Sequence, residues 1–369
     1  MTEQPLLTPI RMGSIELRNR VVMAPLTRMR AANAAHAPSD LHVDYYRQRA
    51  SAGLIISEGA AISPEGYGWA GSPGLWSREQ LDGWRRVTDA VHEAGGRIMA
   101  QLWHTGAISH PDLRHGKQPV SASDVNLMHE TVLANCRVPT VAPRPLSIDE
   151  IRTTVADHAR AARNAIEAGF DGVQVQANYL YLIAQFLSKG TNRRTDDYGG
   201  SIAARARILF EIIEAILADI EPGRVGVKIA PMHEQGPLAA NDETLPMAEY
   251  AVRELGGYGL AHLLMMGNLT DFSGTPLAAL EGDAMFEHFR PIFGGTLIAN
   301  SNMTRERGNA LIAAGTADMI AFGRAYIANP DLVERFAVDA PLADIDWANV
   351  YGEGARGYSD YPALEPVAA

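Results

Sequence analysis

The chain has 369 residues, 47% of them apolar and 20% charged. This is an ordinary globular balance, too apolar for a disordered protein. Lys plus Arg number 32 against 43 Asp plus Glu, a net charge of −11, which argues against nucleic acid as a partner. The single cysteine, Cys136, excludes an internal disulfide and a thiolate zinc cluster and suits a reducing cytoplasm.

Short apolar runs alternate with amphipathic stretches along nearly the whole chain. Residues 21–26 (VVMAPL) and 53–57 (GLIIS) read as the first two strands. Ser77-Arg78-Glu79-Gln80 is a capping-box pattern that opens a helix to about Ala94, and Gly95-Gly96 ends it. A third strand, 97–102 (RIMAQL), is followed by the longest gap between strand signals. Its first part, 104–146, is rich in Pro, Ser and His and is expected to form a lid over the site, with room for a short hairpin. Ser147-Ile148-Asp149-Glu150 opens a helix to about Ala168, with Ile151, Val155, Ala159, Ala162 and Ile166 on one face. Strand 172–176 (GVQVQ), helix 202–217 and strands 225–229 (VGVKI), 262–266 (HLLMM) and 296–300 (TLIAN) come next. A helix starting at Thr304, strand 319–323 (MIAFG) and a helix starting at Asn329-Pro330 complete the series.

The strand candidates are continuously apolar rather than alternating, as parallel strands covered on both faces are. Eight strands with helices between them predict a (β/α)8 barrel, taken as one domain over 1–369. An open doubly wound sheet is the alternative. It is weakened by the lack of a Gly-x-Gly-x-x-Gly turn after the first strand. The N-terminus lacks a basic stretch before an apolar core, and no apolar run reaches about 18 residues. No signal peptide and no membrane span are therefore expected, and the location is read as cytoplasmic.

Barrel chemistry sits where strands end. Those ends carry Pro25-Leu26-Thr27-Arg28, Glu58-Gly59, Gln101-Leu102-Trp103-His104, residues 176–181, Lys228, Met266-Gly267, Asn300-Ser301 and Gly323-Arg324. A ring built only for stability would be mostly apolar. Asn300, Ser301, Gly323 and Arg324 end strands seven and eight, where barrels commonly bind phosphate, and Arg can pair with it bidentately. The bland reading of Arg324 is a surface salt bridge. Lys228 lies within an apolar strand, either paired with a structural carboxylate or set against an electron-rich ring. Thr27 and Gln101 could supply a hydroxyl and an amide to the same ring. A planar, polar-edged cofactor with a phosphate tail, flavin mononucleotide (FMN), fits this set. No metal site is expected: His104 and His110 lack ligand spacing, and Asp196-Asp197 has no further ligands. No nucleophile elbow or phosphate-binding P-loop motif is present.

Several segments then carry a resemblance. They are Asn19–Arg28 (NRVVMAPLTR), Ser57-Glu58-Gly59 and Gln101–Gly106 (QLWHTG), then Gln185–Ser188 (QFLS) with Asn192, Arg194, Asp196 and Tyr198–Ser201 (YGGS). Ala321–Arg324 (AFGR), Ile327–Leu332 (IANPDL) and Gly357–Pro362 (GYSDYP) follow. In this order, over essentially the full length, the chain resembles the Old Yellow Enzyme family of FMN-dependent ene-reductases. The resemblance implies that Pro25, Thr27, Gly59 and Gln101 contact the flavin ring, with Leu26 and Lys228 in the cofactor set. Asn300, Ser301, Gly323 and Arg324 would hold the phosphate. Trp103 and Tyr358 would pack beside the substrate. Family members pass hydride from NADPH or NADH through flavin to the β-carbon of an activated alkene, and a tyrosine protonates the α-carbon. Tyr181 falls on that tyrosine position.

The chain departs from the family at three places. A His-x-x-Asn or His-x-x-His pair that binds the substrate oxygen is replaced by Gln176 and Tyr179. Lys228 stands where the family has Arg, and Ala203-Ala204 where Glu-Asn is common. The first change implies an atypical, specialised substrate with an apolar body and one oxygen acceptor. The mouth would be lined by Trp69, Trp103, Tyr179, Tyr181, Met266, Phe272 and Tyr358. Altered chemistry on the same fold, such as isomerisation or dehydrogenation, and a non-catalytic flavin-binding role are the competing readings. The protein is expected to act as a monomer or homodimer.

Overall fold

The computed structural model describes residues 4–134, 136–178, 180–231, 236–267 and 272–364. A hairpin of β1 (Ile10–Met12) and β2 (Ile15–Leu17) leads into β3 (Val21–Met23). Then come α1 (Asp40–Gln48), β4 (Leu54–Ala61), α2 (Arg78–Glu93) and β5 (Ile98–Trp103). The long segment after β5 holds β6 (Val120–Ser121), β7 (Glu130–Val132), β8 (Arg137–Pro139) and β9 (Arg144–Pro145). Within it β7 and β8 form an antiparallel hairpin, and β6 pairs with β9 in parallel. The chain continues through α3 (Ile148–Glu167), β10 (Gly172–Ala177), α4 (Leu182–Leu187), α5 (Ile202–Leu217) and β11 (Val225–Ile229). It ends with α6 (Thr244–Leu255), β12 (His262–Met266), α7 (Ala284–Phe289), β13 (Leu297–Asn300), α8 (Arg305–Ala313), β14 (Met319–Phe322), α9 (Arg324–Ala328) and α10 (Leu332–Val338).

Strands β3, β4, β5, β10, β11, β12, β13 and β14 are all parallel and close into a barrel, β14 pairing with β3 and β10 with β5. This is the (β/α)8 architecture. The alternation of the pleat sends one set of side chains inward. Val22, Ile56, Met99, Leu264 and Ile298 pack in one cluster with Met12, Ile15 and Leu17 of the hairpin. The hairpin thus plugs the N-terminal end of the barrel. The larger core lies between the barrel and its helices, where Val21, Ile55, Ile98, Val175 and Val227 meet Trp84, Ile151, Ile212 and Ala251.

Three of the four helix-start signals are realised; at the fourth, Asn329 closes α9 and the next helix begins only at Leu332, after Pro330 and Asp331. Ser77 accepts from the Gln80 N–H and Ser147 from the Glu150 N–H, both in full capping boxes. Thr304 accepts from the Arg307 N–H. Most strand bounds agree within one residue, and the larger differences fall at two strand ends. The first strand stops at Met23, so 24–26 belong to the loop it feeds. The second runs four residues beyond Ser57, through a register shift between Ile56 and Gly59. Ser57 fills that bulge: its Oγ accepts from the Gln101 N–H and donates to the Glu58 carbonyl. The bulge re-aims the backbone at Gly59, a use such irregularities commonly serve beside sites.

Candidate active site

At the C-terminal ends of the strands a pocket is lined by Pro25, Thr27, Gly59, Gln101, Trp103, Gln176, Asn178, Tyr181, Lys228 and Met266. It is built in layers. In the deepest, Gln101 on β5 stands beside Gln174 on β10, and Gln174 beside Gly226 on β11. The Gln101 Nε2 donates to the Gln174 Oε1 at 2.8 Å, and the Gln174 Nε2 lies 2.8 Å from the His262 Nε2. Gly226 makes room for this: a Cβ there would sit 2.2 Å from the His262 ring. Burial depresses His262 to about 3, so its ring is neutral. The relay leaves the Gln101 carbonyl oxygen as the end that faces the pocket.

Lys228 occupies the next layer, in register with Gln176. It is 7% exposed and has no hydrogen-bond or ion partner among the described residues. Burial holds its pKa down at about 8. The structural carboxylate that would make it a bland core lysine is therefore absent among the described residues. A buried cation facing a pocket without a counter-charge is a site for an electron-rich ligand. Gly59 is needed bare, because a Cβ would lie 2.8 Å from the Trp103 ring.

The aromatic wall starts from Trp103. Its ring meets Tyr181 edge-on at 5.0 Å, and Trp69 at 6.3 Å. Tyr181 is the residue that caps α4. Its loop is fixed by the buried Gln185, whose Nε2 donates to the Leu180 and Thr105 carbonyls. The Gln185 Oε1 in turn accepts from the Ala107 N–H and the Ser121 hydroxyl.

The expected phosphate residues lie at the neighbouring strand ends β13 and β14. The Asn300 Nδ2 donates to the Ala321 carbonyl, tying the two ends together. Ser301 has φ 117°, a conformation rare for a residue with a side chain, and it turns the backbone sharply there. Gly323 precedes α9, and a Cβ on it would touch the Leu26 side chain at 3.6 Å. Arg324 is exposed and makes no ion pair among the described residues, so the surface salt bridge considered for it is not formed there.

Not every expected residue lies in the pocket. Tyr358 is fully buried and stacks on Tyr45 with ring centroids 4.0 Å apart. The Arg28 and Arg30 guanidinium groups lie over its ring. It does not line the pocket. Tyr351 of the same segment reaches the aromatic wall instead, meeting Trp69 edge-on at 6.4 Å. Arg28 and Arg30 hold that segment: both donate to the Val350 carbonyl, Arg28 also to Gly357, and Arg30 to Asn349 and Arg356. Phe272 is buried in the outer core, and Leu26 packs against that core without lining the pocket. His104 is buried, and its Nδ1 accepts from the Gly106 N–H. Tyr179 lies outside the described residues. Asn178 was not anticipated, although its signal was present. Positions 174, 176 and 178 share one parity on a strand, so an inward Gln176 implies an inward Asn178.

The arrangement can hold a flat polar-edged ring over Gln101, Thr27 and Lys228, with an anionic tail toward Gly323 and Arg324. Comparison with known proteins agrees. A family model described as NADH:flavin oxidoreductase / NADH oxidase matches residues 5–342. The 12-oxophytodienoate reductase 1 of Oryza sativa subsp. japonica is 38% identical, over 98% of this chain and 94% of its own. The structure of morphinone reductase superposes with a TM-score of 0.91 at 42% identity, covering 98% of this chain and 97% of that one. An old yellow enzyme homologue from Zymomonas mobilis gives 0.91 at 38% identity, covering 97% and 99%. No helix among the described residues is long and apolar enough to cross a membrane. The chain is a member of the NADH:flavin oxidoreductase / NADH oxidase family, the Old Yellow Enzyme group of FMN-dependent oxidoreductases.

Proposed function

We propose that the protein is an NAD(P)H-dependent ene-reductase acting on the activated C=C bond of an atypical, specialised substrate with an apolar body. The observation that carries this reading is Lys228, a buried cation in the pocket beside Gln101 and Thr27 with no counter-ion among the described residues. FMN, when bound, supplies the hydride relay between the nicotinamide and the alkene. Lys228 would offset negative charge at the ring edge, and Gln101 would present its carbonyl oxygen to the ring's polar rim. Asn300, Ser301, Gly323 and Arg324 would hold the phosphate, with Arg324 as its ion partner.

Tyr181 would deliver the proton to the α-carbon. Its place at the pocket edge against Trp103 lets its hydroxyl reach the substrate while the ring is held. Gln176, with Tyr179, would hold the substrate oxygen. Trp103, Trp69 and Tyr351 would cover the apolar body. The segment 104–146 would act as a lid, since Gln185 already ties its first residues to the Tyr181 loop. In the same reading the protein works in the cytoplasm, as a monomer or homodimer.

The test is the visible spectrum of purified holoenzyme, followed without oxygen. The flavin band should bleach with NADPH or NADH and recover on adding an enone. A band that recovers only in air would refute ene-reduction of that substrate class, and a protein that never takes up FMN would overturn the whole reading.

A further inference from the structure

Gln101, Gln174 and His262 form a buried row across the barrel interior, one layer below Lys228. The Gln101 NH2 donates to the Gln174 carbonyl, and the Gln174 NH2 meets the His262 Nε2, both at 2.8 Å. An amide NH2 cannot accept, so the neutral ring must carry its proton on Nδ1. That Nδ1 is buried and has no hydrogen-bond partner among the described residues.

The opposite arrangement is bonded just as fully. If the ring proton moves to Nε2 and both amides turn over, Nε2–H donates to the Gln174 carbonyl and the Gln174 NH2 donates to the Gln101 carbonyl. There are again two hydrogen bonds, and Nδ1 is again the unpartnered atom, now as a bare nitrogen. An amide turned over fills the same space, and its terminal torsion is broad and nearly two-fold. The protein alone therefore has little preference. The choice falls to whatever meets the free end of Gln101 in the pocket. One arrangement shows it a carbonyl oxygen, the other an NH2.

We infer that His262 is a positioning residue for the flavin: the place of its ring proton, passed on through Gln174, sets which end of Gln101 faces the ring, and reduction of the ring reverses the relay. This rests on the placement of FMN over Gln101 and is independent of the alkene. The arrangement in the structure offers a carbonyl to the oxidised ring. Two-electron reduction makes the rim electron-rich, which repels a carbonyl oxygen and attracts an NH2. The relay itself gains and loses no proton.

The test uses FMN-loaded protein labelled with 15N in its 11 histidines. The His262 signals are those missing from His262→Met or His262→Gln. A protonated and a bare ring nitrogen have well-separated 15N shifts. When dithionite reduces the bound FMN without oxygen, the Nδ1 and Nε2 signals of His262 should exchange character. In Gln174→Met, which cuts the relay but keeps Gln101 and His262, they should not. Redox titration gives a second reading. Met at 262 can accept from the Gln174 NH2 but cannot donate, so it holds Gln101 with its carbonyl outward. His262→Met should bind oxidised FMN as wild type does and reduced FMN about tenfold more weakly, a two-electron potential about 30 mV lower. Gln174→Met should match it, and the double variant should lose nothing further, as members of one relay do.

Signals that keep their character on reduction overturn the proposal. Signals that exchange equally well in Gln174→Met also overturn it, because the relay then carries nothing, and so do additive losses in the double variant. If Gln101→Met binds both forms of FMN as tightly as wild type, Gln101 does not face the ring, and the cofactor placement itself fails.

Discussion

Replacing Lys228 with Met should make the apoprotein more stable and the holoprotein harder to form. Burial lowers the ammonium from its ordinary 10.5 to about 8, a penalty worth about 3 kcal/mol at neutral pH. Met has nearly the same volume and no charge to desolvate, so Lys228→Met recovers most of that in the apoprotein. The pH dependence has a definite sign. Between about 8 and 10.5 the unfolded chain holds a proton on Lys228 that the folded chain has lost. Wild-type apoprotein stability therefore rises with pH across that window, and the variant lacks the rise. FMN binding runs the other way. A charge-assisted contact is worth about 1.5–3 kcal/mol, so Lys228→Met should bind FMN roughly 10–150-fold more weakly. Wild-type affinity should fall as pH climbs above about 8, while that of the variant stays flat. Denaturant melts of apoprotein at pH 7 and pH 9.5, with flavin-fluorescence titrations at the same values, read both trends. The reasoning is refuted if the variant apoprotein is no more stable than wild type at pH 7 and binds FMN equally well.

Gly59→Ala should reduce flavin content in purified protein, because its Cβ would come within 2.8 Å of the Trp103 ring and push it toward the pocket; the ratio of visible to ultraviolet absorbance measures this. Tyr181→Phe should leave reduction by NADPH unchanged and slow reoxidation by the alkene about 10²–10⁴-fold, the usual weight of a positioned acid, as stopped-flow of the two half-reactions would show. Arg28→Ala should strip the Val350 and Gly357 carbonyls of a buried donor and destabilise the fold by at least about 2 kcal/mol. Limited proteolysis should then cut first near Tyr351, and an unchanged digestion pattern would show that the clamp does not hold this segment.

The barrel was legible because most strands are near-continuous apolar runs and α2, α3, α5 and α8 open with a Ser or Thr cap, whereas α6, whose N-cap Glu243 makes no side-chain cap bond, carried no such signal. Lys228 and Gln101 could be singled out because a polar residue inside such a run has few reasons to be there. The second strand was read too short, since residues 57–61 continue only through a bulge that Ser57 fills with its hydroxyl. No single-strand pattern contains that contact. Asn178 could have been found by applying the two-residue period past the end of β10. Tyr358 and Tyr351 could not be sorted locally. Which one faces the mouth depends on where Arg28 and Arg30 hold the backbone of that segment, and the partners lie more than 300 positions away in sequence. The Gln101–Gln174–His262 relay is equally hidden, because it joins three strands and depends on the missing Cβ of Gly226.

The arginine clamp has a kinetic meaning. Arg28 and Val350 are 322 residues apart, and β14 must already lie against β3 before the two can meet. Contacts of such separation form late, after the loop they close has been ordered. During refolding the helical signal should return well before the aromatic wall around Trp69 and Tyr351 is complete. A molecule caught between those moments would be barrel-like in its spectrum and still catalytically silent.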